Sequence, residues 1–412
     1  MSRFTALVGL IVFLNAPALL AEDARSRVIT GAIDYPQRIA LPPAADLQVA
    51  VEGRFGAILG ETQVRAGGQQ EVLPFALTIP AGLRGDLAAV VRLDGAVRWI
   101  VRDVVIAAGS EPVDLGAIPV APVTPLDFVT EVSCAEQDVT LGILGEEMVL
   151  RAEGREIALR AAVAASGARY TAVAEPETEV WSRGDAFTIR LAGQDLTACH
   201  AVSPPERRPY RARGIEPGWH VDLGEERAEI VADYGELRRE AARPQVGVVP
   251  GAYVFDMPEA EASLRITETL CRDAATGMPH PDKAVLTLGE RVLDGCGGDP
   301  RDLLTGATWQ VTAIGGEAPE AAERVSITFL APARVAGSTG CNRFVGGFTL
   351  TGEGLQFGAL GSTLMACPET LMAQERAMLD ALEQVRRFDV AGDGALRLIG
   401  GAGDEVLIEA MR

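Results

Sequence analysis

Residues 128–163 read FVTEVSCAEQDVTLGILGEEMVLRAEGREIALRAAV, a run of short apolar segments separated by Gly-containing turns. Short segments rich in Val, Ile and Leu between turn signals are typical of β-strands, because helices need longer periodic runs. No stretch nearby has the length and spacing of a helix. This part of the chain therefore predicts a mainly β fold.

Strand signals continue towards the N-terminus. Apolar and polar residues alternate in DLQVAVE (46–52) and in PFALTIP (74–80), which is the period of a half-buried strand. Two further strand patterns lie in VVRLDGAVRWIVRDVVI (90–106), joined by Asp94-Gly95. Asp-Gly between two apolar runs is a strong hairpin signal.

The first residues predict secretion. They read MSRFTALVGLIVFLNAPALLA (1–21), with Arg3 before an apolar run over 5–14 and small residues before the expected cleavage site. This order is that of a signal peptide, so we expect the mature chain to begin near Glu22. The run is too short to span a membrane, and no Cys follows it to carry a lipid anchor. We therefore expect a soluble periplasmic protein with neither a membrane span nor a lipid anchor.

Composition narrows the function. The chain has 412 residues and a formal net charge of −20, which repels nucleic acid and favours basic partners, although solubility alone also explains an acidic total. It contains no P-loop, GxSxG, HExxH or dinucleotide-binding pattern. We therefore expect no cofactor, no resident metal and no enzyme activity.

Six cysteines fall into three neighbourhoods along the chain. The neighbourhoods are Cys134 with Cys199, Cys271 with Cys296, and Cys341 with Cys367. Six cysteines allow 15 connectivities, and pairing within each neighbourhood is the simplest if each domain folds alone. Each bridge would then contribute roughly 3–4 kcal/mol. Metal binding is the rival interpretation, but CxxC spacing is lacking and the chain has only three His.

Pro-rich stretches at 118–125, 201–214 and 296–304 mark the expected domain boundaries. They predict four modules in tandem after the signal peptide. These modules cover residues 26–120, 127–203, 211–299 and 302–412.

The first module opens with VITGAIDYPQRIALPPAADLQVAVEG (28–53), which resembles the YbaY-type family, related to the YscW pilotin-like lipoproteins of bacterial envelopes. The resemblance rests on Gly31, Tyr35, Arg38, Ile39, Ala40, Leu41, Pro42 and Pro43. It implies a small β-sandwich over 26–120 with no known chemistry. Members are usually lipid-anchored, and this chain lacks the Cys for such an anchor.

The second module carries an ordered set of motifs. They are Cys134, then Ser166, Gly167 and Tyr170, then Trp181, Arg183 and Gly184, then Cys199. This order resembles the MliC family of C-type lysozyme inhibitors. The resemblance implies a small antiparallel β-barrel over 127–203, stapled by Cys134 and Cys199.

The resemblance also implies a mode of inhibition. Lysozyme cleaves glycosidic bonds with two carboxyl groups that flank the scissile bond. Ser166 and Gly167 would enter the cleft so that the Ser hydroxyl bonds one carboxylate, and Arg183 would pair with the other. Tyr170 would brace the loop, and the negative net charge would speed the encounter with a basic enzyme.

This module departs from the family in two ways. Arg183 replaces the family Lys, and the connection from Ser166 is longer. The extra residues bring in Glu175, Glu177 and Glu179, which we expect beside the cation, where they would repel an enzyme carboxylate. A purely structural interpretation stays open, with a turn at the Ser-Gly pair, Trp181 in the core and a plain hairpin turn after Arg183.

The third module, 211–299, resembles an uncharacterised bacterial envelope domain. The matching residues are Gly214, Glu216, Pro217, Trp219, Cys271, Met278, Pro279 and Cys296, with Gly218 where Phe is usual. No activity follows from this resemblance. Asp273, His280 and Asp282 raise the alternative of a metal site, but loosely spaced groups in a turn are more often solvated loop residues.

The fourth module, 302–412, resembles the META domain of HslJ-type heat-shock proteins. The matching residues are Leu304, Gly306, Trp309, Gly340, Cys341, Asn342, Phe344, Thr363, Cys367 and Glu375. A helix is expected after Pro368, with Leu371, Met378, Leu382 and Val385 on its buried face. We expect Asn342 to hydrogen-bond the backbone of a turn held by a Cys341–Cys367 bridge.

Three function classes follow. The leading hypothesis is a periplasmic binding protein that protects the envelope, most concretely by inhibiting C-type lysozyme. The second is a non-catalytic chaperone or stress-response scaffold of outer-membrane assembly, and the third is a hydrolase with an unrecognised site. In the leading hypothesis, exposed loop tips carry the function rather than buried reactive groups.

Overall fold

The computed structural model describes residues 25–34, 42–67, 72–164, 166–184, 186–202, 208–352, 354–401, 403 and 405–412. The expected signal peptide lies outside the described residues, and so do Tyr35, Arg38, Ile39, Ala40 and Leu41 of the N-terminal motif. The chain divides into two compact units, one up to residue 207 and one from residue 208.

The first unit begins with two sheets. Their strands are β1 (Ser26–Asp34), β2 (Asp46–Glu52), β3 (Ile58–Arg65), β4 (Val72–Pro80), β5 (Gly85–Leu93), β6 (Ala96–Ile106), β7 (Val113–Pro119) and β8 (Ala121–Pro122). One sheet has the order β4-β1-β7 and the other β3-β2-β5-β6-β8. Asp94 and Gly95 have φ of 50° and 81°, the left-handed conformation of a tight hairpin turn, so the predicted hairpin is confirmed.

The rest of the first unit is a curled sheet. Its strands are β9 (Val129–Ser133), β10 (Asp138–Leu144), β11 (Glu147–Ala152), β12 (Arg155–Ala162), β13 (Ala168–Ala172), β14 (Glu179–Arg183), β15 (Ala186–Leu191), β16 (Gln194–Leu196) and β17 (His200–Ala201). Their order is β14-β13-β12-β11-β10-β9-β17-β15-β16, and β14 also pairs with β15. This second pairing closes the sheet into the expected antiparallel barrel. Its apolar side chains, among them Leu141 and Val180, fill the interior.

The second unit begins with another antiparallel sheet. Its strands are β18 (Tyr210–Gly214), β19 (Trp219–Leu223), β20 (Arg227–Ala232), β21 (Leu237–Ala242), β22 (Val246–Val249), β23 (Ala252–Met257), β24 (Ala262–Thr267), β27 (Asp282–Leu288) and β28 (Arg291–Gly297), with β25 (Cys271–Arg272) and β26 (Pro279–His280) as a separate pair. The order is β21-β20-β19-β18-β28-β27-β24-β23-β22. Trp219 is buried, and the ring of Tyr234 covers Gly218 at the position where Phe is usual.

The C-terminal part combines a sheet with a helix. Its elements are α1 (Arg301–Leu304), β29 (Thr308–Ile314), β30 (Val325–Leu330), β31 (Arg334–Thr339), β32 (Arg343–Thr351), β33 (Gly354–Phe357), β34 (Gly361–Ser362), α2 (Glu369–Gln384), β35 (Val385–Val390), β36 (Leu396–Gly400) and β37 (Val406–Met411). Short 3-10 turns occur at Arg54–Gly56, Pro125–Asp127, Asp233–Gly235, Pro258–Ala260 and Ala322–Arg324.

The predicted helix is confirmed, with two differences in its buried face. Met378 and Leu382 are buried, whereas Leu371 is only half-buried. The helix ends at Gln384, so buried Val385 belongs to the following strand rather than to the helix. Strand pairing with β36 overrides the helical spacing there.

The two parts of the second unit pack against each other. Met278, in the turn between β25 and β26, joins the core that contains Leu304 and Trp309. Arg272 donates to both carboxylate oxygens of Asp389, at 3.0–3.3 Å. A side chain of one part thus completes the core of the other.

The expectation of a mainly β fold with a minor α contribution is confirmed. All three expected disulfides are present, as Cys134–Cys199, Cys271–Cys296 and Cys341–Cys367. Within the described part of the chain, no helix has the length and apolar character needed to cross a membrane.

Candidate functional site

One end of the β13–β14 pair brings the expected contact residues together. Ala168 lies opposite Ser182 in the antiparallel register, so the segment before β13 and the end of β14 are neighbours. We call Ser166, Gly167, Trp181, Arg183 and Gly184 the barrel tip.

Trp181 joins the two sides of the barrel tip. Its indole N–H donates to the backbone carbonyl of Ser166 at 2.7 Å. The guanidinium carbon of Arg183 lies 4.0 Å from the centre of the Trp181 ring, which is a cation–π contact. Trp181 is half-buried, so it is neither a core residue nor a fully exposed side chain. One ring therefore orients both the Ser loop and the cation.

Gly167 lets the two sides approach closely. Its φ is +70°, and a Cβ built there would lie 2.2 Å from the carbonyl oxygen of Ser182. Any larger residue would combine an unfavourable backbone conformation with a clash against the neighbouring strand. The Gly of the Ser-Gly motif is thus required by the packing of the tip.

The tip side chains differ in exposure. Ser166 and Arg183 are exposed, and among the described residues no carboxylate forms an ion pair with Arg183. Tyr170 is only 7% exposed and packs inside the barrel, across from Val180. It supports the tip from within rather than offering a surface for contact.

The expectation that three glutamates lie beside Arg183 is wrong. Glu175 and Glu177 lie in the loop between β13 and β14, at the end of the hairpin remote from the tip. Glu179 begins β14, about 13 Å along the strand from Arg183. Glu175 pairs with Arg155 at 2.6 Å and Glu179 with Arg169 at 2.5 Å. The longer connection therefore places these carboxylates away from the tip, where they do not oppose its cation.

In the C-terminal part, Asn342 is the centre of a buried network. Its Oδ1 accepts from the backbone N–H of Met365 at 2.8 Å and from the hydroxyl of Thr363 at 2.7 Å. Its Nδ2 donates to Glu375 at 2.9 Å, and Thr339 donates to the same carboxylate at 3.0 Å. The expected bond from Asn342 to the backbone is confirmed, and the network ties α2 to the Cys341 turn.

The expectation that Asp273, His280 and Asp282 are solvated loop residues is wrong, since all three are buried. Asp273 accepts the N–H groups of Ala275 and Thr276 at 3.1 and 3.0 Å, and Asp282 accepts the hydroxyl of Tyr210 at 2.8 Å. Nowhere in the described ranges do three acidic, His or Cys side chains converge in a way that could hold a metal ion. Sequence reasoning missed the burial of these groups, because no local spacing signals it.

Two segments of the chain match known protein families. Residues 133–198 match the MliC family, described as membrane-bound lysozyme-inhibitor of c-type lysozyme. Residues 302–411 match the META domain family. No curated protein matches the chain. The barrel is thus similar to inhibitors and the C-terminal part to META domains, and neither family is one of enzymes.

Two solved structures resemble part of the chain. One is an alternative pilotin from the type II secretion system of Vibrio cholerae, at 23% identity over 24% of this chain and 99% of that chain, with a TM-score of 0.21. The other is a protein from Burkholderia xenovorans solved by NMR, at 26% identity over 27% of this chain and 84% of that chain, with a TM-score of 0.23. At these TM-scores neither structure carries an argument about the function.

Proposed function

We propose that this chain is a periplasmic envelope-protective protein that inhibits C-type lysozyme by inserting the barrel tip into the active-site cleft. The observation that carries the proposal is the tip itself, in which one indole bonds the backbone of the exposed Ser166 and stacks against the guanidinium of the exposed Arg183. The match of residues 133–198 to an inhibitor family supports the same activity.

The chemistry of the tip suits a pair of carboxyl groups. A hydroxyl donates one hydrogen bond to a carboxylate, and a guanidinium donates two in a planar fork. These bonds strengthen when the partner excludes water from them. Arg183 differs from a Lys in shape, but its stacking on Trp181 fixes the guanidinium before binding and so reduces the entropy lost.

The setting of the chain favours such an encounter. A formal charge of −20 attracts a basic enzyme over a distance and raises the association rate at low salt. Three disulfides suit an oxidising compartment such as the periplasm, where the signal peptide expected from the sequence would direct the chain.

The test is inhibition of lysozyme by the full chain. The chain would be titrated into a C-type lysozyme acting on a bacterial cell suspension, with turbidity as the readout. We expect Arg183→Ala to weaken inhibition roughly 10- to 100-fold and Ser166→Ala about ten-fold, which is the range for lost charge-assisted hydrogen bonds.

Arg151→Ala is the matched control. Arg151 is exposed in the same barrel and pairs with Glu156 at the end of the β11–β12 hairpin remote from the tip. The substitution Arg151→Ala removes the same charge as Arg183→Ala. It should change the inhibition constant by no more than about two-fold, since exposed ion pairs contribute little to stability. Absence of inhibition at micromolar concentrations of the unaltered chain would exclude the proposal. Equal losses in Arg151→Ala and Arg183→Ala would exclude the tip as the contact.

A further inference from the structure

The second unit contains a cleft of about 760 Å³ that the lysozyme proposal does not use. It lies between the sheet of β18 and β19, strand β26 with His280, and the β32–β33 hairpin. Its volume is within the range of small-molecule sites, roughly 300–1,000 Å³. Four arginines and three aspartates line it, so the lining carries one net positive charge in a chain of net −20.

The four arginines differ in how well their donors are paired. Arg211 donates two short hydrogen bonds to Asp222, so its guanidinium is well paired. Arg213 reaches Asp273 at 3.4 Å, whereas Arg208 and Arg301 share Asp299 at 3.9 and 3.4 Å. Charge-assisted hydrogen bonds are normally about 2.7–2.9 Å long, so these contacts leave donor capacity unused.

Two donor atoms are buried without an acceptor. The Nε atoms of Arg213 and Arg301 are inaccessible to solvent and have no hydrogen-bond partner among the described residues. A buried donor without a partner is costly, and native structures rarely retain one without a reason. Because the cleft adjoins both side chains, a bound acceptor could reorient the two guanidinium groups and satisfy them.

The nearby carboxylates do not accept hydrogen bonds from these two Nε atoms. Asp273 is held by Ala275 and Thr276, and Asp282 by Tyr210. Burial alone would raise the pKa of Asp273, but the hydrogen bonds from Thr276 and Ala275 and the charge of Arg213 outweigh it and lower the pKa. The carboxylate therefore stays ionised and engaged with its own turn.

His280 helps to hold Arg213. Its Nδ1 lies 2.9 Å from the carbonyl oxygen of Gly298, and its Nε2 lies 3.4 Å from Nη2 of Arg213. Desolvation is the main cause that lowers the pKa of His280, and the charge of Arg213 adds to it. A neutral ring that donates from Nδ1 leaves Nε2 as an acceptor facing the guanidinium.

The cleft also has an apolar lining. Met278, Leu350, Pro209 and Pro300 contribute to it. We propose that the cleft binds the oxyanion of a small amphiphilic molecule, a carboxylate or a phosphate, through Arg213 and Arg301, with the apolar part against Met278 and Leu350. This site is separate from the barrel tip and does not depend on lysozyme binding.

The test uses the full chain and three probes of equal length, namely hexanoate, hexyl phosphate and neutral hexanol. Binding would be measured by calorimetry at low salt. We expect at least one anionic probe to bind with a Kd of about 1 mM or tighter, and hexanol at least about ten-fold more weakly. Binding of hexanoate alone or hexyl phosphate alone would support the proposal and identify the oxyanion. Equal binding of hexanol, or no binding of either anion, would overturn it.

Variants locate the site. Arg301→Gln and Arg213→Gln should each weaken the anionic probe roughly 10- to 100-fold. Arg238→Gln is the control, because Arg238 is an exposed arginine of the same unit that pairs with Glu229 on β20. Thermal unfolding checks that each variant folds. Arg301 is partly exposed, so we expect Arg301→Gln to fold and to test the site even if Arg213→Gln does not fold. An equal loss in Arg238→Gln would overturn the assignment to the cleft.

Discussion

The barrel tip and the cleft of the second unit place arginines in opposite settings. Arg183 is exposed, and only one face of its guanidinium is covered by an indole. Arg213 and Arg301 each bury an Nε beside a cleft, which suits a molecule small enough to enter it. In the two proposals, one residue type would serve two kinds of recognition. A projecting cation suits a concave macromolecular partner, and a recessed one suits a small ligand.

The largest effect is expected when one disulfide is removed at a time. Cys134→Ala/Cys199→Ala opens a connection of 65 residues and should destabilise the barrel by about 4 kcal/mol. Cys341→Ala/Cys367→Ala opens 26 residues and should cost about 3.5 kcal/mol in the second unit. Denaturant unfolding and lysozyme binding would be measured on both. Loss of lysozyme binding in the second variant alone would contradict the assignment of that activity to the barrel.

Two glycines at the tip form a matched pair. Gly167→Ala should cost about 2–4 kcal/mol, because Ala adopts the left-handed conformation poorly and its Cβ would strike the Ser182 carbonyl. Gly184 also has a positive φ, +63°, but no described atom lies within 4 Å of a Cβ built there, so Gly184→Ala should cost only about 1 kcal/mol. Thermal unfolding and lysozyme inhibition measure the difference. Equal effects would mean that the close approach at Gly167 is unimportant.

Trp181 tests whether the tip is preorganised. Trp181→Leu removes both the cation–π contact and the hydrogen bond to Ser166, which together contribute about 1–2.5 kcal/mol. Affinity for lysozyme should fall roughly 5- to 50-fold. Trp181→Phe keeps a ring under Arg183 but loses the N–H, so its affinity should fall between those of the parent and the Leu variant. A Leu variant with unchanged affinity would show that the indole does not position the tip.

The smallest expected effect concerns His280 and pH. Its pKa is lowered chiefly by burial and further by Arg213, although the Gly298 carbonyl, Asp273 and Asp299 oppose the change. The unfolded chain therefore binds a proton more readily below about pH 6.5, and stability should fall as the pH drops from there towards the lowered pKa.

The slope for this single proton is at most about 1.4 kcal/mol per pH unit. Unfolding of the full chain between pH 7.5 and 5.5 would be compared with that of His280→Gln, which cannot titrate. The variant should lose less stability over this range than the parent. A parallel decline in both would show that His280 does not titrate on unfolding.

The two sites also differ in how far the sequence predicts them. The tip depends on motifs within short stretches, and one strand pairing then brings Ser166 and Arg183 together. The role of Trp181 was not foreseen, because its contact with Ser166 depends on the orientation of a side chain across that pairing. Placing the glutamates beside Arg183 failed because β14 is extended and carries the chain about 13 Å from Glu179 to Arg183, at the opposite end of the hairpin.

The cleft could not be predicted from any single stretch. Its residues come from β18, β19, strand β26 with His280, α1 and the β32–β33 hairpin, and no spacing rule links them. The insertion of Met278 into the core of the C-terminal part is likewise a tertiary event. By contrast, the strands, the Asp94-Gly95 hairpin and the cysteine pairs follow from local periodicity, turn chemistry and proximity in sequence.

Competition within the lysozyme cleft tests the central claim most directly. The full chain would be titrated calorimetrically into a C-type lysozyme, with and without a soluble oligosaccharide substrate analogue that fills the active site. If the tip occupies the cleft, the apparent Kd of the chain should rise in proportion to the analogue concentration, and Ser166→Ala/Arg183→Ala should bind weakly in both conditions. An apparent Kd unaffected by saturating analogue would mean that the chain binds elsewhere on the enzyme.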